Sequence, residues 1–166
     1  MLLPACLPRF TMTGGMSIIT IVTGEIDAGK TRYLHERASR SGIAAWLSVK
    51  SLPGYDLLML PAGGRIPLAR PTGSDVPRGW FPFRRFFFNP AAFAAAESCW
   101  AALDGPSPKE LILDEIGPLE LEGRGFAPLL RIFLTAGSDL TVSVRPSLLK
   151  AVPDYFGFSP DRIIRL

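Results

Sequence analysis

The stretch SIITIVTGEIDAGKT, residues 17–31, restricts the possible folds of this chain more than any other. From Ser17 to Thr23 it is a continuous β-branched run, which predicts a strand buried on both faces, as in parallel sheets covered by helices. Gly24, Gly29, Lys30 and Thr31 then follow in the spacing G-x-x-x-x-G-K-T. TRYLHERASR reads as the helix that starts at Gly29 or Lys30 and runs to about Ser41, with Gly42 ending it. Strand, glycine loop and helix in that order commit the chain to alternating strands and helices around a mainly parallel sheet.

Most of the remaining sequence fits such a frame. IAAWLSV, 43–49, is a second buried strand, and Leu111 to Leu113 of ELILDEIG are a third, with Asp114 and Glu115 at its end. GRGFAPLLRIFLTAG predicts a helix from about Phe126 to Thr135, and DLTVSVR, 139–145, another buried strand. A short helix near Ser147 to Ala151 and a last strand, RIIRL, complete the chain. One section differs: GYDLLMLPAGGRIPLAR, 54–70, holds two extended segments around Ala62-Gly63-Gly64, a hairpin signal, and Pro61 and Pro67 suggest an edge position. PTGSDVPRG is loop by composition, WFPFRRFFF, 80–88, is a third extended segment, and Asn89-Pro90 opens an Ala-rich helix. Residues 54–88 therefore read as a small β insertion carried by a single α/β domain of residues 16–166, long enough to bury roughly two-thirds of its unfolded surface. Residues 1–15, MLLPACLPRFTMTGG, are expected to be a disordered arm or a start-site artefact: no basic residue precedes the apolar run and prolines break it, unlike a secretory signal.

Several classes of function are disfavoured. No apolar run approaches the ~20 residues of a membrane helix. Cys6 and Cys99 have no metal-type spacing, so reduced thiols in a cytoplasmic protein are expected, and the single His35, in a helical stretch, supports no triad or His-based metal site. The net charge of +3 comes from scattered arginines, not one basic run, which suits anionic ligands and argues little for nucleic acid.

The chemistry concentrates at three places. In the loop from Gly24 through Glu25, Ile26, Asp27, Ala28 and Gly29 to Lys30 and Thr31, glycines let backbone N–H groups wrap phosphate oxygens, and the helix N-terminus adds its positive end. Lys30 would reach the β and γ phosphates, and Thr31 would put its hydroxyl on Mg²⁺. Asp114, at the end of an apolar strand, supplies a second metal-holding group, and Glu115 lies where a carboxylate can orient and deprotonate an attacking water. Arg145, after the strand LTVSV, should emerge at the carboxyl edge of the sheet, where a guanidinium can stabilise a transferring phosphoryl group; Arg124 is a weaker candidate for that role. The run RGWFPFRRFFF, with Arg78, Arg84 and Arg85, reads either as a surface for stacking a nucleobase or as an edge strand packed on the core. Glu25 and Asp27 are unusual in a phosphate loop, but the anion is held by backbone and Lys30, so their side chains are expected to point to solvent or to arginines.

ITIVTGEIDAGKT, GYDLLMLPAGGRIPLAR, FFFNPAAFAAA, LILDEIGPLELEGRGF and VSVRPSLL together resemble the small phosphate-loop nucleoside-triphosphatase family that includes the human cancer-related nucleoside triphosphatase and thermophilic relatives. DEIGPLEL is the most specific part. The resemblance spans about residues 17–166. It implies a three-layer RecA-like core and slow Mg²⁺-dependent hydrolysis of ATP, GTP and other nucleoside triphosphates with loose base preference. By position it matches Lys30 and Thr31 to the phosphate-loop pair, Asp114 and Glu115 to the metal-holding and water-activating carboxylates, and Arg145 to an arginine after the following strand. Two other readings stay open: a nucleotide or small-molecule kinase whose acceptor binds at 54–88, with Arg84 or Arg85 on its phosphate, and a GTP-binding accessory protein. The latter lacks a base-reading N-K-x-D motif here.

Overall fold

The computed structural model describes residues 16–166, so the expected amino-terminal arm, with Cys6, lies outside the described residues. The chain runs β1 (Ile19–Thr23), α1 (Lys30–Ala38), β2 (Ile43–Ser51), β3 (Gly54–Leu60), β4 (Gly64–Pro71), β5 (Phe81–Phe83), β6 (Phe86–Phe88), α2 (Pro90–Ala101), β7 (Glu110–Ile116), α3 (Ala127–Phe133), β8 (Asp139–Val144), α4 (Ala151–Phe156) and β9 (Arg162–Arg165). All nine strands form one sheet in the order β5-β6-β4-β3-β2-β7-β8-β1-β9. Its β2-β7-β8-β1-β9 half is parallel throughout. β8 stands between the strand that leads into the glycine loop and β7, which carries Asp114 and Glu115.

Helices cover both faces. Alternate residues of β1 and β2 part company: Val22, Ala45 and Leu47 join Leu34 and Ala38 of α1, while Ile21, Ala44 and Trp46 join α2, α3 and α4. α1, with nine residues, is too short to stand alone in water, so the burial of Leu34 and Ala38 is what holds it. On the opposite face, Trp46 packs 4.8 Å from Phe133 and donates its indole N–H to Ala96 O at 3.2 Å. Both faces of the β1 and β2 run are thus apolar, which is why neither strand alternates with polar residues.

The section 54–88 departs from expectation. β3 and β4 do form the hairpin, but they are interior strands, β3 antiparallel to β2 and β4 antiparallel to β3, and they extend the main sheet. Pro67 is accommodated without an edge because the β3–β4 register shifts at Tyr55/Asp56, and its free carbonyl accepts from Asn89 Nδ2 at 2.8 Å. Residues 80–88 are a hairpin of two short strands, β5 and β6, turning at Arg84 and Arg85, and β5 is the edge. α2 starts as its sequence predicts, with Asn89 accepting from Ala91 N and Pro90 in the first turn. β7 extends past Leu113 to Ile116, so Asp114 and Glu115 lie within the strand, where its register with β8 shifts. Among the described residues no helix is long and apolar enough to cross a membrane.

Candidate active site

The glycine loop leaves β1 and enters α1 through two residues in the left-handed region, Asp27 at φ 63° and Gly29 at φ 93°. Gly29 takes this conformation at no steric cost, and Asp is one of the few other residues that tolerates it. α1 has no side-chain cap, so its first N–H groups are left for an anion. Lys30 is buried, and its Nζ donates to Gly24 O at 2.6 Å and Glu25 O at 2.8 Å, tying the loop to the helix that follows it. Two of its three N–H donors are thus engaged, which leaves one for a further acceptor. Glu25 is exposed, and Asp27 pairs at 2.5 Å with Lys50 of β2 rather than with an arginine. The hydrogen bond from Lys50 holds Asp27 below the usual carboxylate range and raises the lysine in turn.

Asp114 is the junction of the site. It is 1% exposed, and it joins three elements: Thr31 Oγ1 of α1 donates to its Oδ2 at 2.8 Å, Ser48 N of β2 donates to the same oxygen at 3.3 Å, and Ser143 Oγ of β8 donates to Oδ1. Ser48 Oγ also donates to the Asp114 carbonyl at 2.8 Å. Burial pushes its carboxyl up to about 6, against the downward pull of the Ser143 and Thr31 hydroxyls and with a smaller upward push from Glu115. Glu115, next along β7, accepts from Arg145 Nε through Oε1 at 2.7 Å. Its Oε2 takes no protein donor among the described residues.

Glu120 is nearly enclosed, at 4% exposure, and its two oxygens accept from Gly117 N at 2.9 Å and Phe126 N at 3.1 Å, closing the turn after β7. Burial pushes this carboxyl up to about 7 despite those two backbone donors. Gly125, at φ 61°, must be glycine here, since a Cβ would come within 2.4 Å of Glu120 Oε1.

A cavity of about 560 Å³ starts at Gly29, Lys30 and Thr31, passes Glu115 and Arg145, and continues to Tyr55 and to Arg84 and Arg85 of the β5–β6 hairpin; the buried Asp114 is not among its lining residues and reaches it through Thr31. Of the residues expected from sequence, Ile26, Asp27, Gly29, Lys30, Thr31, Glu115 and Arg145 line it, whereas Gly24, Glu25 and Ala28 shape the loop behind it. Arg124 is not among the lining residues: its guanidinium lies 4.5 Å over the Phe81 ring. His35 is exposed on α1. Ser48, Ser143, Lys50 and Glu120 were not singled out by sequence reasoning. The signal for the two serines is a serine late in each of the apolar runs IAAWLSV and LTVSV.

The set fits Mg²⁺ by its chemistry. All donors are hard oxygens, one hydroxyl and one carboxylate, and Mg²⁺ prefers few protein ligands with water and phosphate oxygens completing its shell. Among the described residues no cluster of three or more His, Cys, Asp or Glu side chains offers an all-protein metal cage.

No family model and no curated protein matches the chain. Two solved structures are similar to it. The solution structure of a human cancer-related nucleoside triphosphatase superposes with a TM-score of 0.65 at 20% identity, over 90% of this chain and 89% of that one. The crystal structure of THEP1 from the hyperthermophile Aquifex aeolicus gives 0.65 at 17% identity, over 90% of each chain. The α/β fold of these two structures, one mixed sheet between helices, is the fold of this chain.

Proposed function

We propose that the protein hydrolyses nucleoside 5'-triphosphates, ATP, GTP and others with loose base preference, to the diphosphate and phosphate in a Mg²⁺-dependent reaction. The observation that carries the reading is the 2.8 Å hydrogen bond from Thr31 to Asp114, which joins the loop to a carboxylate 83 residues away and leaves Glu115 beside both. In this reading the loop amides and Lys30 bind the β and γ phosphates, and Thr31 and Asp114 would hold the metal, Asp114 through water. Mg²⁺, when bound, neutralises charge on the phosphate oxygens. Glu115 takes the proton of the attacking water through Oε2, the oxygen that Arg145 leaves free. Arg145 fixes the Glu115 carboxylate, and its Nη groups, with no protein acceptor among the described residues, stabilise charge on the transferring phosphoryl group. That one of the two similar structures is of a human cancer-related nucleoside triphosphatase supports this assignment, as does a sequence without an N-K-x-D motif for any guanine-restricted role. We place the enzyme in the cytoplasm, acting on a small molecule and not on nucleic acid or membrane.

The test is release of inorganic phosphate from a panel of triphosphates with Mg²⁺, by the parent, Lys30→Ala and Glu115→Gln. Phosphate release by the parent without any acceptor, lost in both variants, is the expected result. Transfer seen only onto an added acceptor would make the protein a kinase, and strict GTP binding without turnover would make it an accessory GTP-binding protein.

A further inference from the structure

The cavity holds more positive charge than a triphosphate loop needs, and the excess lies at its far end. Of its cations, Arg32 pairs with Glu36, Lys50 with Asp27 and Arg145 with Glu115, while Lys30 is held by loop carbonyls. Arg84 and Arg85 enter no ion pair among the described residues; they lie over rings, Arg84 at 5.7 Å from the Phe83 centroid and Arg85 at 5.5 Å from that of Phe86. Arg84 also occupies the first position of a two-residue hairpin turn at φ 52°, where glycine is the favoured residue. A bulky charged side chain kept in a conformation that costs free energy is a pointer to function.

Position decides what this end is for. Counting across the sheet from the loop-bearing β1, Glu115 on β7 comes before the hairpin, which curls back so that Arg124 sits on Phe81. In phosphoryl transfer the attacking and leaving oxygens lie roughly in line, so the attacking side of the γ-phosphate is the side of its general base, away from the β-phosphate and the nucleoside. Arg84 and Arg85 are therefore placed on the acceptor side of the γ-phosphate, not where the base of the same triphosphate would lie.

We propose that this far lobe is a second ligand site, occupied together with the triphosphate, for a phosphorylated compound with a planar ring, of the nucleoside-monophosphate class. Its phosphate meets Arg84 and Arg85, and its ring stacks among Tyr55, Phe83 and Phe86, which line the same lobe. The site goes beyond the triphosphatase reading but rests on it, because Glu115 as the general base defines the acceptor side.

AMP, GMP, CMP and UMP would each be titrated calorimetrically into protein saturated with Mg²⁺ and a β,γ-imido ATP analogue. At least one is expected to bind one per chain beside the analogue, and to lose about tenfold in affinity in Arg84→Gly/Arg85→Ala while analogue affinity moves less than about twofold. The glycine relieves the turn, so this variant folds, and a thermal melt checks it. Competition between monophosphate and analogue, failure of all four to bind, or parallel loss of both ligands in the double variant would overturn the proposal; the last would mean that the hairpin holds the triphosphate's own base. Lys30→Ala separates the two readings. It should lose the analogue and keep the monophosphate, whereas loss of the monophosphate as well would put that ligand in the phosphate loop and end the proposal.

Discussion

Asp114→Asn should stabilise the free protein while destroying its response to Mg²⁺ and triphosphate. Asp114 is 1% exposed, and burial raises its carboxyl from the ordinary 3.8 to about 6. Each pKa unit corresponds to about 1.4 kcal/mol, so the ionised carboxylate costs the native state on the order of 3 kcal/mol relative to the unfolded chain. The sign follows from proton counts. Below the unfolded value both states hold the proton and the penalty is absent. Between the two values the native state keeps a proton that the unfolded state has released, so stability falls as pH rises, and above about 6 the penalty is complete. Asn is isosteric and neutral. Its oxygen can accept from Thr31 Oγ1 and Ser48 N where Asp114 Oδ2 does, and its amide can donate to Ser143 Oγ, which only has to rotate. Urea midpoints followed by tryptophan fluorescence from pH 4 to 8 should therefore coincide for parent and variant at the acid end. They should separate by up to about 3 kcal/mol in favour of Asn at pH 7 to 8. Glu120, whose carboxyl burial also raises, is common to both proteins and cancels in the difference. Adding Mg²⁺ and a non-hydrolysable triphosphate at pH 8 should raise the parent midpoint and leave the variant unmoved. A gap constant across pH, or a variant less stable than the parent at pH 8, would refute the assignment of a costly buried charge at Asp114.

Glu115→Gln should retain triphosphate binding and lose at least ~100-fold in turnover, read by single-turnover phosphate release; equal rates would remove Glu115 from the mechanism. Arg145→Ala should lower turnover with little change in triphosphate affinity, because Arg145 pairs with Glu115 and not with the loop; a change confined to affinity would contradict that role. Asp27→Asn keeps a residue that tolerates the left-handed turn and frees Lys50, so triphosphate affinity should rise a few-fold at low salt and return to parent values near 1 M salt. Weaker binding at low salt would show that Asp27 contributes directly. Gly125→Ala should cost more than about 1 kcal/mol in urea, since it strains the backbone and drives Cβ into Glu120 and Leu119; a neutral melt would mean that the turn is not fixed as described.

How much of this was legible in the sequence depended on range. Features set by neighbours along the chain were readable: the β-branched run of β1, the helix start after Gly29, the Asn89-Pro90 cap and the hairpin at Ala62-Gly63-Gly64 all formed where local chemistry puts them. Features set by pairing across the sheet were not. Pro67 argued for an edge, yet an interior strand tolerates it because a register shift and Asn89 Nδ2 satisfy the backbone around it. Residues 80–88, six aromatics with two arginines and Pro82, read as one strand, and a turn at Arg84 divides them although no glycine marks it. The same division holds in the site. Lys30, Thr31, Asp114 and Glu115 stand out in the sequence because a phosphate-loop reading picks out their spacing and strand-end position, and the structure joins Thr31 to Asp114 directly. Ser48, Ser143 and Lys50 act through partners that are remote in sequence, so nothing in their own neighbourhoods required them. Asp27 shows both sides at once. Its presence in the loop is tolerable by sequence as a side chain turned to solvent or to arginines, but its partner is Lys50, which makes the loop's acidic residue and a nearby lysine a neutral pair at the cavity. The local positive potential is therefore set by the pair and not by Asp27 alone, and removing one charge without the other exposes its partner to the anion.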